Sequence, residues 1–246
     1  MMQGLLKHPT SGIVSRINNP EPNSKEMATK TKENEIVEAE ANTALSANVT
    51  GIEIDIEDIE IPRINVCQKM SESDAPVGSV LYDKTYTLAA PNTPLKVTPV
   101  VAQKGWRENI PFDEEDVPRI AWTKEQSAAI AADSDWEMTE FAELTLLIQQ
   151  PEEGSDPDAF QLPIGDHNYA LGKINVGKNA YRSTYKRLAT NAALTGQPIH
   201  EKLWNFTSEE LSKGKYTWYN PTLTATKEAV DESVAGFVSN FLKHNA

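Results

Sequence analysis

Between residues 108 and 158 the chain carries fifteen acids and two bases, and between Lys173 and Tyr219 the balance reverses to eight bases against three acids. Like charges at that density cannot line one phosphate groove without repulsion, so the acidic segment is expected on a face away from any such groove. Upstream the sign alternates too: residues 21–60 hold eleven acids and three bases, residues 61–107 three acids and six bases. The overall charge of −13 therefore misstates the local field, because exposed charges act over only about 8–10 Å at physiological salt.

Hydrophobic residues make up 39% of 246 positions, too few for every residue to belong to a core, and the excess falls in residues 1–50. That stretch has no aromatic residue and weak apolar periodicity, and is expected to be a disordered tail. Met27 opens a polar run, Met27 to Lys32, that would serve as an ordinary N-terminus. Cys67 is the only cysteine, which excludes an intrachain disulfide and a Cys-based zinc site and points to a reducing compartment, the cytoplasm. No apolar run approaches the ~20 residues that span a bilayer, and the first residues lack the apolar core of a signal peptide, so no membrane partner is expected.

The folded part reads as β-rich. Ile52 to Glu57 alternates apolar and acidic residues, and Pro62 to Gln68, Val80 to Leu88 and Leu95 to Gln103 follow as extended pieces, the last with Pro99 placing it at an edge or a strand start. Thr123 is placed to cap a short helix to Ala132, and Phe141 to Gln149 reads as a central strand. Tyr169 to Ile174 is a further strand, and Gly177 to Leu194 a helix closed by Gly196. Tyr216 to Tyr219 gives an aromatic strand ended by Pro221. Lys227 to Leu242 places Val230, Val234, Phe237, Val238 and Phe241 at helical spacing, an amphipathic closing helix. The domain boundaries expected are 1–50 for the tail, 51–225 for the domain and 226–246 for the closing helix.

Catalytic chemistry finds little footing. His8, His167, His200 and His244 are scattered without metal-ligand spacing, there is no nucleophile elbow, and Gly172 to Lys178 lacks the order of a phosphate loop. Asp113 to Asp116 reads as a solvated acidic loop rather than a cation site. No enzyme activity, cofactor or metal is expected.

Bases interleaved with aromatics are more informative. In a helix from Lys178 to Arg187, Lys178, Arg182 and Lys186 fall four apart on one stripe with Tyr181 and Tyr185 beside it, so cations and rings share one exposed sector; Lys173 precedes them. Lys104, Trp106 and Arg107 surround Gly105, and Lys215, Tyr216 and Trp218 follow Gly214. Cations neutralise phosphates while ring faces stack on unpaired bases at ~1–3 kcal/mol each. Trp122, Trp136 and Trp204 are assigned to packing.

Ile61 to Gln68, Gly177 to Arg187, and Lys215 to Tyr219 with Pro221 together resemble a group of tailed-bacteriophage single-stranded DNA-binding proteins with an OB-like β-barrel, over about residues 60–222. The resemblance implies a non-catalytic accessory of phage DNA replication or recombination, in the host cytoplasm, with single-stranded DNA and replication or recombination proteins as partners. One departure stands out. Such proteins often end in an acidic tail with an aromatic tip, whereas this sequence ends Phe241-Leu242-Lys243-His244-Asn245-Ala246. The expected fold is α+β and β-rich: an OB-like barrel with an acidic insertion, one basic-aromatic helix and a C-terminal amphipathic helix. A phage virion or assembly protein with an extended N-terminal docking arm is the competing expectation.

Overall fold

The computed structural model describes residues 60–111 and 113–244; the tail over 1–50 and the alternating Ile52–Glu57 stretch lie outside these residues. Three short strands, β1 (Ile64–Val66), β2 (Val80–Tyr82) and β3 (Tyr86–Ala89), form an antiparallel sheet in chain order. The single strand expected over Val80 to Leu88 is thus a hairpin. Asp83 and Lys84 both take positive φ, 49° and 59°, the tight-turn geometry whose twist matches paired strands.

A second, seven-stranded sheet carries the rest. It comprises β4 (Leu95–Glu108), β5 (Ile120–Ala121), β6 (Met138–Gln149), β7 (Leu162–Ile164), β8 (His167–Gly177), β9 (Lys202–Lys213) and β10 (Tyr216–Ala229). The order is β10-β9-β4-β6-β8-β7, all antiparallel, with β5 added against the end of β4. The chain is α+β and strand-rich. Its pairing path is open, with β10 at one end and β7 at the other, so the closed barrel expected is not what strand pairing alone gives.

Residues 62–68 run from β8 to β10. Lys173 N donates to Pro62 O at 2.8 Å, and Arg63 and Lys173 form a parallel bridge on β8. Gln68 then completes an edge of β10 with its side chain, donating to Tyr219 O at 2.8 Å and accepting from Tyr219 N at 2.9 Å. Gly78 lies under the Tyr219 ring with φ 94°, where a Cβ would overlap the ring, and its carbonyl accepts a short hydrogen bond from Ser208 Oγ.

Alternation assigns the two faces of the large sheet. The inner face packs Leu144, Leu146 and Ile148 of β6 with Ile174, Trp204, Phe206 and Leu223 of the neighbouring strands. It is covered by the small sheet and by two helices, α2 (Lys178–Ser183) and α3 (Tyr185–Thr195), which contribute Tyr181 and Leu188. On the outer face Val100, Leu147 and Tyr169 lie beneath α4 (Glu232–His244), whose Val234, Val238 and Phe241 form its buried stripe.

Several boundaries differ from expectation for local reasons. Pro99 lies inside central strand β4, tolerated because the register shifts between Pro99 and Val101. Pro221 does not end β10: it pairs with Ser208 in the last strand of the sheet path, where its missing N–H is harmless, and its carbonyl accepts from Ser183 Oγ at 2.7 Å. β10 runs to Ala229, so the closing helix starts at Glu232 rather than near Lys227. The expected basic-aromatic helix is two helices, broken at the buried Thr184 (φ −121°, ψ −84°), whose hydroxyl bonds back to Ala180 O. The acidic insertion is shorter than 108–158, because central strand β6 falls within that range. What projects from the sheet is residues 109–137, carrying β5 and α1 (Lys124–Ala132) with the expected Thr123 cap, reciprocated by Gln126.

Candidate nucleic-acid interface

The β-bulge at Val100 decides which β4 side chains meet the helices. Before it, Leu95 and Val97 face the inner core; after it the parity inverts, so Ala102, Lys104 and Trp106 face inward and Gln103 and Arg107 outward. Lys104 and Trp106 thereby reach the end of the inner face, where the apolar core gives way to solvent.

There Lys104 Nζ lies 2.5 Å from Glu140 Oε1 and 4.8 Å from the centre of the Trp106 ring. Tyr181 and Tyr185 stack with ring centres 5.0 Å apart, and Lys186 Nζ lies 5.6 Å from the Tyr181 ring. Glu140 is the acid of the cluster. Its carboxyl is held below the usual range, first by the hydrogen bond from Lys104 and further by the charges of Lys104, Lys186 and Lys124. Lys104 is raised mainly by that same hydrogen bond, and burial pushes the Tyr181 phenol up, with Glu140 adding to it. One lysine thus pairs with this carboxylate beside three rings, with Lys186 over one of them and Lys186 and Lys124 adding longer-range charge.

Of the residues expected to act, Lys104, Trp106, Tyr181, Tyr185 and Lys186 come together. The exposed tyrosine stripe does not hold as expected. Tyr181 is 4% exposed and anchors α2 in the inner core, leaving half-buried Tyr185 as the more accessible ring. Lys178 and Arg182 are exposed on α2, but the break at Thr184 interrupts the four-residue stripe between Arg182 and Lys186. Lys178 takes φ 53°, a left-handed conformation that costs a non-glycine residue ~1–2 kcal/mol.

Lys215, Tyr216 and Trp218 lie on the β9–β10 hairpin, past the short stretch where β9 pairs with β4. Tyr216 is 67% exposed, with Lys215 Nζ 5.4 Å from its ring. Lys173 and Arg107 belong to the outer face. Lys173 pairs with Glu143 at 3.3 Å; with its side-chain amide turned over so that both atoms are satisfied, Asn175 accepts from Arg63 at 3.0 Å and donates to Glu143 at 3.2 Å. Sequence reasoning missed Lys124, Glu140, Arg63 and Asn175. Only strand register brings Glu140 to Lys104, and no spacing in the sequence signals it.

The acids are therefore not all remote from the bases. Asp113 to Asp116 are exposed in the 109–137 excursion, yet Glu140 and Glu143 of the same segment contact Lys104 and Lys173 directly. Among the described residues no three His, Cys, Asp or Glu side chains are grouped to hold a metal ion, and no helix is long and apolar enough to cross a membrane. Comparison with protein families, with characterised proteins and with solved structures found no match.

Proposed function

We propose that this protein binds single-stranded DNA without sequence preference and without catalysis, as an accessory of phage DNA replication or recombination in the host cytoplasm. The grouping of Lys104 and Lys186 with the Trp106, Tyr181 and Tyr185 rings carries the reading. Lysines on separate elements suit a flexible phosphate chain, and ring faces accept any base, so the combination favours affinity over sequence readout. Glu140 pairs with Lys104, and a phosphate would compete with this carboxylate for the lysine.

The connectivity supports the OB-like part of the proposal. The path β10-β9-β4-β6-β8, with α2 and α3 between β8 and β9, has the strand order of a five-stranded Greek-key barrel, and residues 62–68 bond to both β8 and β10. Titration of the full chain with a fluorescent homopolymeric oligonucleotide at low salt tests the function. Micromolar or tighter binding that weakens with salt and quenches tryptophan fluorescence is expected. Absence of both would favour the virion or assembly alternative.

A further inference from the structure

Phe141 is 3% exposed yet lies outside both hydrophobic cores. It sits on the outer face of β6, and its neighbours across both adjacent strands are glycines, Gly105 on β4 and Gly177 on β8. Two glycines thus flank one buried ring, and glycine inside a strand commonly marks a close approach to the backbone. Gly105 is explained by packing: a Cβ there would lie 2.6 Å from the Phe141 ring and 3.0 Å from Trp122. Gly177 is not. A Cβ at that position would meet the Arg107 guanidinium at 3.5 Å and Phe141 Cβ at 4.0 Å, ordinary contacts, so the Arg107 guanidinium lies over this glycine.

Two side chains cover Phe141. The Trp122 ring lies 5.3 Å away, tilted by 54°, and the Arg107 guanidinium 6.0 Å away. Trp122 remains 39% exposed, so one part of the indole packs while another faces solvent. Arg107 is exposed and makes no ion pair among the described residues. The next row along the sheet is polar, Gln103, Glu143 and Asn175, with Lys173 and Arg63 attached to it.

We propose that Trp122 and Arg107 form a second nucleotide contact on the outer face, with an unpaired base stacked on the exposed part of the indole and its phosphate on Arg107. The proposal rests on the single-strand reading and extends it from the inner end of the sheet to a separate surface. Charge complementarity favours a nucleic-acid strand as the occupant: Arg63, Arg107 and Lys173 face Glu143 alone among these residues. A stacked base would use the apolar surface that Trp122 leaves uncovered.

The test combines photo-crosslinking of the full chain to a 5-iododeoxyuridine oligonucleotide with affinity measurements on variants. Crosslinks to Trp122 are expected. Trp122→Ala should weaken binding about tenfold with an unchanged salt slope, the loss of one stacked base. Arg107→Gln should lower the slope of log affinity against log salt by about 0.7, one single-strand phosphate contact. Gly177→Ala, whose Cβ would touch the Arg107 guanidinium without a clash and restrict it, should also weaken binding, and should do so even if Trp122→Ala fails to fold. Wild-type affinity in Arg107→Gln and Gly177→Ala, with Lys186→Ala still weakened, would overturn this contact and leave the single-strand reading standing. Absence of oligonucleotide binding by the wild-type chain would overturn both.

Discussion

Glu108 and Glu140 come from the same acid-rich segment and lie on neighbouring strands, yet they do opposite things. Glu108 is 4% exposed and accepts from Arg119 N at 2.7 Å, Arg119 Nε at 2.9 Å and Ser134 Oγ at 2.5 Å. These bonds join the two ends of the 109–137 excursion, and Arg119 reaches on to Asp133 at 3.3 Å. Glu140 holds one lysine directly at a partly exposed position, with two more lysines within electrostatic reach. The difference teaches that total acidity does not decide function. A carboxylate saturated by fixed donors is a clamp, whereas one sharing mobile lysines with solvent can be exchanged for a phosphate.

The clamp should show the larger effect on stability. Arg119 and Ser134 hold the Glu108 carboxyl at about 2 against its ordinary 4.5, so folding favours the ionised form. Its contribution is complete above pH 4.5 and is lost as pH falls from there towards 2. Glu108→Gln should lower the melting temperature by several degrees at pH 7, speed amide exchange in residues 109–137, and flatten the acid side of the stability profile. An unchanged acid limb would remove Glu108 from the clamp.

Stacking comes next in size. Tyr185→Ala or Trp106→Ala should weaken oligonucleotide binding about five- to tenfold without changing the salt slope, since stacking releases few counterions. The comparison between the two acids becomes sharper with Glu140→Gln, which frees Lys104. Single-strand affinity should rise about two- to threefold at low salt with the melting point nearly unchanged, because exposed ion pairs contribute only ~0–1 kcal/mol. A loss of affinity would make Glu140 a positioning residue instead. The smallest effect is expected for neutralising Asp113, Glu114, Glu115 and Asp116 to Asn or Gln. Affinity at 0.15 M salt should change less than twofold, as screening limits charges beyond about one Debye length, and a tenfold gain would show that this loop competes for the interface.

Features fixed by a few adjacent residues were legible in the sequence. The Thr123 cap, the αL Gly196 after α3, and central strand β6 all follow from local chemistry. What depends on distant partners was not. The bulge that turns Lys104 and Trp106 inward is set by a register against β6, and the extension of β10 through Pro221 rests on its place at the end of the sheet path. The break at Thr184 places Tyr181 and Leu188 in the same core, which a continuous 3.6-residue pattern does not reveal. At the interface, the residue types were readable but their grouping was not: five of the twelve residues converge, and the acid among them came from a segment expected to lie elsewhere.

The lysine cluster is tested most directly by the salt dependence of oligonucleotide affinity for Lys104→Ala/Lys186→Ala beside the wild-type chain. Two lost single-strand phosphate contacts should lower the slope of log affinity against log salt by about 1.4, with the melting temperature preserved. A folded double variant that keeps the wild-type slope would contradict the account.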